Sequence, residues 1–180
     1  LTISKILKNY EHFIFYGTLL GVTRERNILS GDDDIDLLID IKIKKEVLEV
    51  IHASEKFIIN KRVTNEYFTQ LIRTVDNCIT FVDLYFYINN PNDNYIVEKH
   101  NFLASIKLES HSIHIPKNLI FPIKKSTIFP EINLPNKPIE LCEFLYGDSW
   151  NTPIEKNTGY RMEIVDHKPK LIKRSFLGKL

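Results

Sequence analysis

Apolar and polar residues alternate along the chain in patterns that predict short helices mixed with strands. Apolar positions at helical spacing indicate an amphipathic helix over residues 1–10. Further helices are predicted at 18–26, 42–56 and 138–146. Runs rich in aromatic and β-branched residues predict strands at 12–17, 34–40, 57–64, 67–75, 78–88, 95–99, 102–108 and 112–116. The proline-rich stretch 121–138 is expected to be an irregular crossing segment.

Length, charge and composition narrow the class of protein. A chain of 180 residues with 43% hydrophobic residues is expected to form a single soluble globular domain over 1–180. The formal net charge of +1 argues against a protein that binds nucleic acid through bulk electrostatics. No apolar run is long enough to predict a transmembrane segment. Cys78 and Cys142 fit no zinc or redox spacing, which favours a reducing, cytoplasmic location.

The last residues, 167–180, form a basic and partly apolar tail. We expect this tail to be a flexible end or a link into a further domain. The alternative is a peripheral contact with a membrane or another anionic partner. At the other end, the chain starts at Leu1 without a methionine, so a removed leader or an upstream domain stays open.

Carboxylates crowd against the start of the second predicted strand. In "LSGDDDIDLLID", residues 29–40, four aspartates fall within five positions. Because side chains alternate between the faces of a strand, Asp34 and Asp36 share one face and the intervening apolar residues enter the core. Asp33 then points away into solvent. The strand "TFVDLYFYI" places Asp83 on one face among aromatic residues, so three carboxylates converge if the two strands are neighbours.

The acidic run has three interpretations. A solvated surface loop would have no reason to continue into an amphipathic strand. A calcium loop starting at Asp32 fails, because its sixth and twelfth positions hold Leu37 and Ile43, where glycine and glutamate are required. Asp34 and Asp36 joined by Asp83 fit Mg²⁺ or Mn²⁺, with Asp32 as a helper ligand.

A second element lies upstream, in "YGTLLGVTR". Gly17 allows a close approach of the backbone to a ligand, and Thr18 is a candidate N-cap of the following helix. The first amides of that helix would donate to a phosphate group, and Arg24 would add positive charge. A plain strand-to-helix turn is the alternative interpretation.

Taken together, these stretches resemble the LicD/fukutin-related phosphotransferase family. The resemblance rests on "YGTLLGVTRERNILSGDDDIDLLID", on "FVDLYFY" and on "LYGDSWNTP", and it spans residues 16–153. It implies an α+β, nucleotidyltransferase-like fold in which helices pack on one face of a mixed sheet. Asp34, Asp36 and Asp83 would then be the metal-binding and catalytic residues.

The family resemblance also implies a reaction. A phospho-alcohol, such as phosphocholine or a polyol phosphate, would move from a CDP-linked donor to a sugar hydroxyl of a surface glycan. Gly17, Thr18 and Arg24 would bind the donor. Two alternatives stay open: a nucleotidyltransferase that transfers a nucleoside monophosphate from a nucleoside triphosphate, and a non-catalytic module that binds a glycan or nucleotide.

Several other residues have no clear functional pattern. His111 and His114 would lie on opposite faces of a strand, which favours surface or hydrogen-bonded roles over a metal site. Tyr146 and Trp150 are as compatible with packing of the last helix as with stacking on a base or sugar.

Overall fold

The centre of the protein is a five-stranded mixed sheet, seen in a computed structural model that describes residues 1–99, 112–154 and 160–173. The strand order is β1-β2-β5-β4-β3, with β2 and β5 parallel and all other neighbours antiparallel. The strands are β1 (His12–Ile14), β2 (Asp34–Asp40), β3 (Ile58–Ile59), β4 (Phe68–Val75) and β5 (Cys78–Tyr87). Together with the helices, this mixed sheet confirms the predicted α+β class.

Helices and three small strand pairs surround the central sheet. The helices are α1 (Thr2–Ile6), α2 (Tyr16–Arg24), α3 (Lys44–Ala53), α4 (Lys117–Ile120) and α5 (Pro138–Tyr146), with a 3-10 turn at Ile41–Ile43. The strand pairs are β6 (Tyr95–Lys99) with β7 (Ser112–Pro116), β8 (Lys124–Lys125) with β9 (Asn133–Leu134), and β10 (Tyr160–Val165) with β11 (Lys168–Lys173). An isolated bridge between Ile88 and Val97 connects the end of β5 to β6.

One face of the central sheet is apolar, as the alternation of β2 and β5 predicts. Residues in register project to the same side, so this face combines Ile35, Leu37, Ile39, Val82, Leu84 and Phe86. Two helices lie against it. The Arg73 guanidinium donates to the Thr2 hydroxyl of α1 at 2.6 Å, and the Lys44 ammonium of α3 lies 4.6 Å from the centroid of the Phe86 ring.

The opposite face changes character along its length. Asp34, Asp36 and Asp83 lie at the end where β2 begins, and the apolar Leu38 and the aromatic Tyr87 lie buried further along. Beyond β5, Ile88 bridges Val97 of β6, and Tyr16 at the start of α2 donates to Glu98 of β6. The three carboxylates therefore lie at one end of this face, and two of them, Asp36 and Asp83, are themselves buried.

Several boundaries differ from the predictions. The first helix is shorter than the predicted 1–10, and the predicted strand 57–64 is reduced to β3. Residues 121–138 are not wholly irregular, because they contain β8 and β9. The predicted strand at 102–108 lies outside the described residues.

The basic tail is the larger correction. Instead of forming a flexible end, Lys168–Lys173 pairs with Tyr160–Val165 as the strand β11. Residues 174–180 lie outside the described part of the chain.

Candidate metal centre and active site

Parallel pairing of β2 with β5 builds an acidic cluster on the central sheet. Asp36 lies directly opposite Asp83, and Asp34 lies opposite Phe81 in the preceding row. One carboxylate oxygen from each of Asp34, Asp36 and Asp83 lies within 4.8 Å of the others. The structure therefore brings together the three acids that the sequence singles out, and their part in catalysis stays a prediction.

Asp36 is the most buried member of this cluster. Its side chain is 5% exposed, and its pKa is raised to about 8 by burial, followed by the charge of Asp34. Thr18 forms two hydrogen bonds with this residue: the Thr18 amide donates to Asp36 Oδ2 at 3.2 Å, and the Asp36 amide donates to Thr18 Oγ1 at 2.8 Å. These bonds fix the first turn of α2 against β2.

The contact with Asp36 corrects the predicted helix start. Helix α2 begins at Tyr16, and Phe15 is its N-cap, so Thr18 is not the N-cap residue. The Asp36 carboxylate instead accepts the Thr18 amide from a neighbouring strand, near the positive end of the α2 dipole. This hydrogen bond lowers the pKa of Asp36 against the effect of burial.

Gly17 leaves room for two carboxylates at this contact because it has no side chain. A Cβ atom at this position would lie 3.0 Å from Asp32 Oδ2 and 3.3 Å from Asp36 Oδ2. Both distances are tighter than ordinary van der Waals contact, so a side chain here would displace the carboxylates. Gly17 was singled out for a close approach to a ligand, and the structure shows such an approach to the protein's own acids.

Asp83 is held by an amide that the sequence did not point to. Gln70 Nε2 on β4 donates to Asp83 Oδ1 at 3.0 Å, and Asn60 Nδ2 donates to Gln70 Oε1 at 2.8 Å. Burial raises the pKa of Asp83 to about 6, while the bond from Gln70 opposes that shift. Asn60, Gln70 and Asp83 therefore form a hydrogen-bonded row across β4 and β5.

The preceding aspartates extend the negative charge toward the surface. Oxygens of Asp32, Asp33 and Asp34 also lie within 4.8 Å of one another. Asp33 is exposed, as predicted, and its carboxylate lies near those of Asp32 and Asp34 but is not grouped with those of Asp36 and Asp83. Its charge contributes to the raised pKa of Asp83.

Arg24 lies at the far end of α2, about 9 Å along the helix axis from Thr18. Its guanidinium donates to the Trp150 carbonyl oxygen at 3.4 Å and to Glu25 Oε1 at 2.7 Å. The structure thus places Gly17 and Thr18 against the acidic cluster, and it places Arg24 beside the segment that follows α5.

A second buried acid, Glu98, contacts the first residue of α2. Glu98 on β6 is 1% exposed, and Tyr16 donates its hydroxyl to Glu98 Oε2 at 2.8 Å. Tyr16 has a φ of +34°, which is uncommon for a residue with a side chain, and it begins the helix that contacts Asp36. The Tyr85 ring lies 5.0 Å from the Tyr16 ring, and the charges of both Asp36 and Glu98 contribute to the raised pKa of Tyr85. No sequence pattern indicated this contact, because a single glutamate in a short strand matches no motif.

The residues without a clear sequence pattern pack in the structure. Tyr146 and Trp150 lie partly buried against the core, and burial, followed by the charge of Asp36, raises the pKa of Tyr146. His114 is stacked between Tyr95 and His167, with ring centroids 4.3 Å and 3.9 Å away. His111 lies outside the described residues.

The donor set of the cluster fits a hard divalent cation. All three groups are carboxylates, and their oxygens are close enough to reach one ion. Ionised together without a counterion they repel one another, and this repulsion contributes to the raised pKa values of Asp36 and Asp83. An Mg²⁺ or Mn²⁺ ion would remove that repulsion, because oxygen is the ligand that these ions prefer.

A mixed sheet with carboxylates on adjacent strands and a helix N-terminus beside them is an architecture suited to phosphoryl-group chemistry. Residues 9–136 match the family model described as "LicD/FKTN/FKRP, nucleotidyltransferase domain". The chain belongs to this LicD family, which implies phosphotransferase-type activity on glycans in general. No curated protein matches the chain. Among the described residues, no helix has both the length and the apolar character needed to cross a membrane.

Proposed function

We propose that this protein transfers a phospho-alcohol, of the phosphocholine or polyol phosphate type, from a CDP-linked donor to a hydroxyl of a glycan, with Mg²⁺ or Mn²⁺ as cofactor. The observation that carries the proposal is the convergence of Asp34, Asp36 and Asp83 within 4.8 Å in a chain of the LicD family. We keep a cytoplasmic location, with peripheral contact to a membrane, as part of the same proposal.

The three carboxylates would have different roles in the reaction. Asp34 and Asp36 would hold the metal, with Asp32 as a helper ligand, and the bound ion would neutralise charge on the donor diphosphate. Asp83 would share the metal or accept the proton of the attacking hydroxyl. Gln70 supports either role, because its bond to Oδ1 leaves Asp83 fixed in one orientation.

The donor would bind on the side of the cluster formed by α2. The first turn of this helix contacts Asp36, and the positive end of the helix dipole favours phosphate there. Gly17 and Thr18 would line the diphosphate site. Arg24 would contact a more distant part of the donor, because it lies at the other end of the helix.

The proposed step is a single in-line displacement. The acceptor oxygen forms a bond to the distal phosphorus of the donor, the bond from that phosphorus to the CMP oxygen breaks, and CMP leaves. The hydroxyl proton passes to Asp83 or to solvent. The residues of this site mainly position the reacting groups, as expected for phosphoryl transfer.

A nucleotidyltransferase is the second candidate, and the family description "nucleotidyltransferase domain" is the observation that favours it. The same carboxylates would serve this reaction. The difference lies in the phosphorus attacked, because attack next to the nucleoside of a triphosphate releases pyrophosphate in place of CMP.

The leaving group decides between these reactions. The protein would be incubated with Mg²⁺ or Mn²⁺, a mixed glycan acceptor and a panel of CDP-alcohols and nucleoside triphosphates, with products followed by phosphorus NMR. We expect CMP, formed only with the metal and faster with the acceptor present. Pyrophosphate from a triphosphate, with CDP-alcohols left intact, would establish the nucleotidyltransferase instead.

A further inference from the structure

A row of apolar side chains leads away from the acidic cluster across the central sheet. Register pairs Asp34 with Phe81, Phe81 with Ile72, and Ile72 with Ile58, so these residues project from the same face. We call Phe81, Ile72 and Ile58 the apolar row. The neighbouring row on this face is polar, since it holds Asp83 and Gln70.

The apolar row is partly open to solvent. Ile58 is 72% exposed, and Phe81 and Ile72 are half-buried. Ile79, two residues before Phe81 on the same face of β5, is 59% exposed and widens the surface. Adjacent strands lie about 4.8 Å apart, so the row extends about 14 Å from Asp34 to the edge strand β3. Exposed apolar side chains that adjoin one another in this way mark binding surfaces more often than isolated ones do.

The position of the row relative to α2 indicates what binds there. Helix α2 contacts the cluster from the β1 and β2 side, where the donor and its CMP leaving group are proposed to lie. In an in-line displacement the attacking hydroxyl approaches from the side opposite the leaving group. That side of the cluster faces β5, β4 and β3, which carry the apolar row.

We infer that the apolar row is an acceptor subsite that binds an apolar group, such as an alkyl or aryl aglycone, attached to the glycan close to the attacking hydroxyl. This inference rests on the proposed function, which places the acceptor on this side. A sugar without such a group would reach the cluster but would leave Ile72 and Ile58 uncovered. The protein would therefore favour acceptors with one polar and one apolar part.

Methyl NMR tests the subsite without requiring turnover. The protein, labelled at isoleucine δ1-methyl groups and saturated with Mg²⁺, would be titrated with glucose, n-butyl glucoside and n-octyl glucoside, each below its micelle concentration. We expect the Ile58, Ile72 and Ile79 methyl signals to shift with the alkyl glucosides and not with glucose. Affinity is expected to rise by up to roughly fourfold for each added methylene that is buried. Ile139, 56% exposed on α5, is the internal control and is expected not to shift.

Variants make the assignment specific. Ile58→Thr should weaken octyl glucoside binding by roughly tenfold, because it removes apolar contact at a position that is 72% exposed. Phe81→Thr should weaken binding further, and Ile139→Thr should leave it unchanged. Metal affinity, measured by the Mg²⁺-dependent rise in Tm, should be the same in Ile58→Thr as in the unmodified protein.

Several outcomes would overturn the subsite. The first is that the Ile139 methyl signal shifts as much as those of the apolar row, and the second is that affinity for the glucosides does not depend on alkyl chain length. The third is that the protein is a dimer and Ile58→Lys makes it a monomer, which would make the row an interface between two copies. Failure of the proposed function gives a different result, namely no CMP from any CDP-alcohol while the chain-length-dependent shifts persist. CMP release with no dependence on the alkyl chain would contradict the subsite alone.

Discussion

Asp36 and Glu98 are buried acids with the same raised pKa, about 8, but they reach it for different reasons. The pKa of Asp36 is raised by burial and by the charges of Asp34, Asp83 and Asp32. The pKa of Glu98 is raised by burial alone, while the hydroxyl of Tyr16 opposes the shift. The pKa of Tyr85 is raised by burial and also by the charges of both acids.

The difference separates a cluster of acids that could hold a cation from a single buried acid. Like-charge repulsion around Asp36 disappears when a divalent ion binds, so burial and clustering there are compatible with function. Among the described residues no charged group contributes to the raised pKa of Glu98, and its burial favours the neutral, protonated acid. A metal should therefore change the behaviour of Asp36 and leave Glu98 unaffected.

The largest expected effect is on catalysis. Asp36→Asn and Asp83→Asn should each lower CMP release by several orders of magnitude, because charge stabilisation by a held metal supplies most of the rate. Glu98→Gln should retain most of the activity, since a glutamine oxygen also accepts the Tyr16 hydroxyl. Activity would be measured as the rate of CMP release in phosphorus NMR.

A matched surface change controls for the loss of charge. Asp76 lies in the turn between β4 and β5, and Asp76→Asn should leave CMP release unchanged. An equal loss of activity in Glu98→Gln and Asp36→Asn would contradict the claim that only Asp36 of the two acids serves catalysis.

The next effect is on metal-dependent stability. Mg²⁺ or Mn²⁺ at about 100 times its Kd should stabilise the native protein by about 2.7 kcal/mol, which corresponds to about 5–10 °C in Tm. Asp34→Asn should abolish this rise and leave the metal-free Tm the same or higher, because it relieves repulsion. Differential scanning calorimetry with and without the metal measures both quantities. An Asp34→Asn protein that fails to fold would identify the aspartate as structural.

Strand periodicity and local motifs predicted a substantial part of this molecule. The alternation within β2 and β5 placed Asp34, Asp36 and Asp83 on one face, and the register of the two strands brings them together. Local sequence could determine the face of each side chain, because that depends only on the two-residue period of a strand.

Contacts between distant segments were not predictable in the same way. Thr18 was assigned as an N-cap, but the acceptor at this helix start is Asp36 from another strand. Gln70 reaches Asp83 through the pairing of β4 with β5, and Glu98 reaches Tyr16 from a strand outside the central sheet. The turn of the last hairpin, Asp166-His167, has positive φ at both residues but lacks the glycine that usually marks such a turn.

A smaller effect concerns the pH dependence of stability. The folded-state pKa of Glu98, about 8, lies above the ordinary value of 4.5, so the folded protein keeps a proton that the unfolded chain loses in this range. The contribution of Glu98 to the free energy of unfolding therefore falls as pH rises from about 4.5 to about 8.

Glu98→Gln should remove the contribution of Glu98 to this pH dependence and leave that of Asp36, whose pKa is also raised to about 8. The variant should match the unmodified protein in Tm near pH 4.5 and exceed it by at least about 3 °C at pH 9. Glu140→Gln, an exposed change on α5, is the control and should keep the original pH dependence. If added Mg²⁺ abolished this difference in Tm between the variant and the unmodified protein, the titrating acid would belong to the metal centre.

The smallest expected effect tests how Asp83 is oriented. Asn60 Nδ2 donates to Gln70 Oε1, which turns Gln70 Nε2 toward Asp83. Asn60→Ala should lower Mg²⁺ affinity by less than the roughly tenfold expected for loss of a group that contacts a metal ligand directly. Asn60→Asp should cost more, because an acceptor at position 60 favours the flipped amide, whose oxygen would then face the Asp83 carboxylate. Isothermal titration calorimetry would rank the variants, and equal affinity in all three proteins would show that Asp83 is held in place without this hydrogen-bonded row.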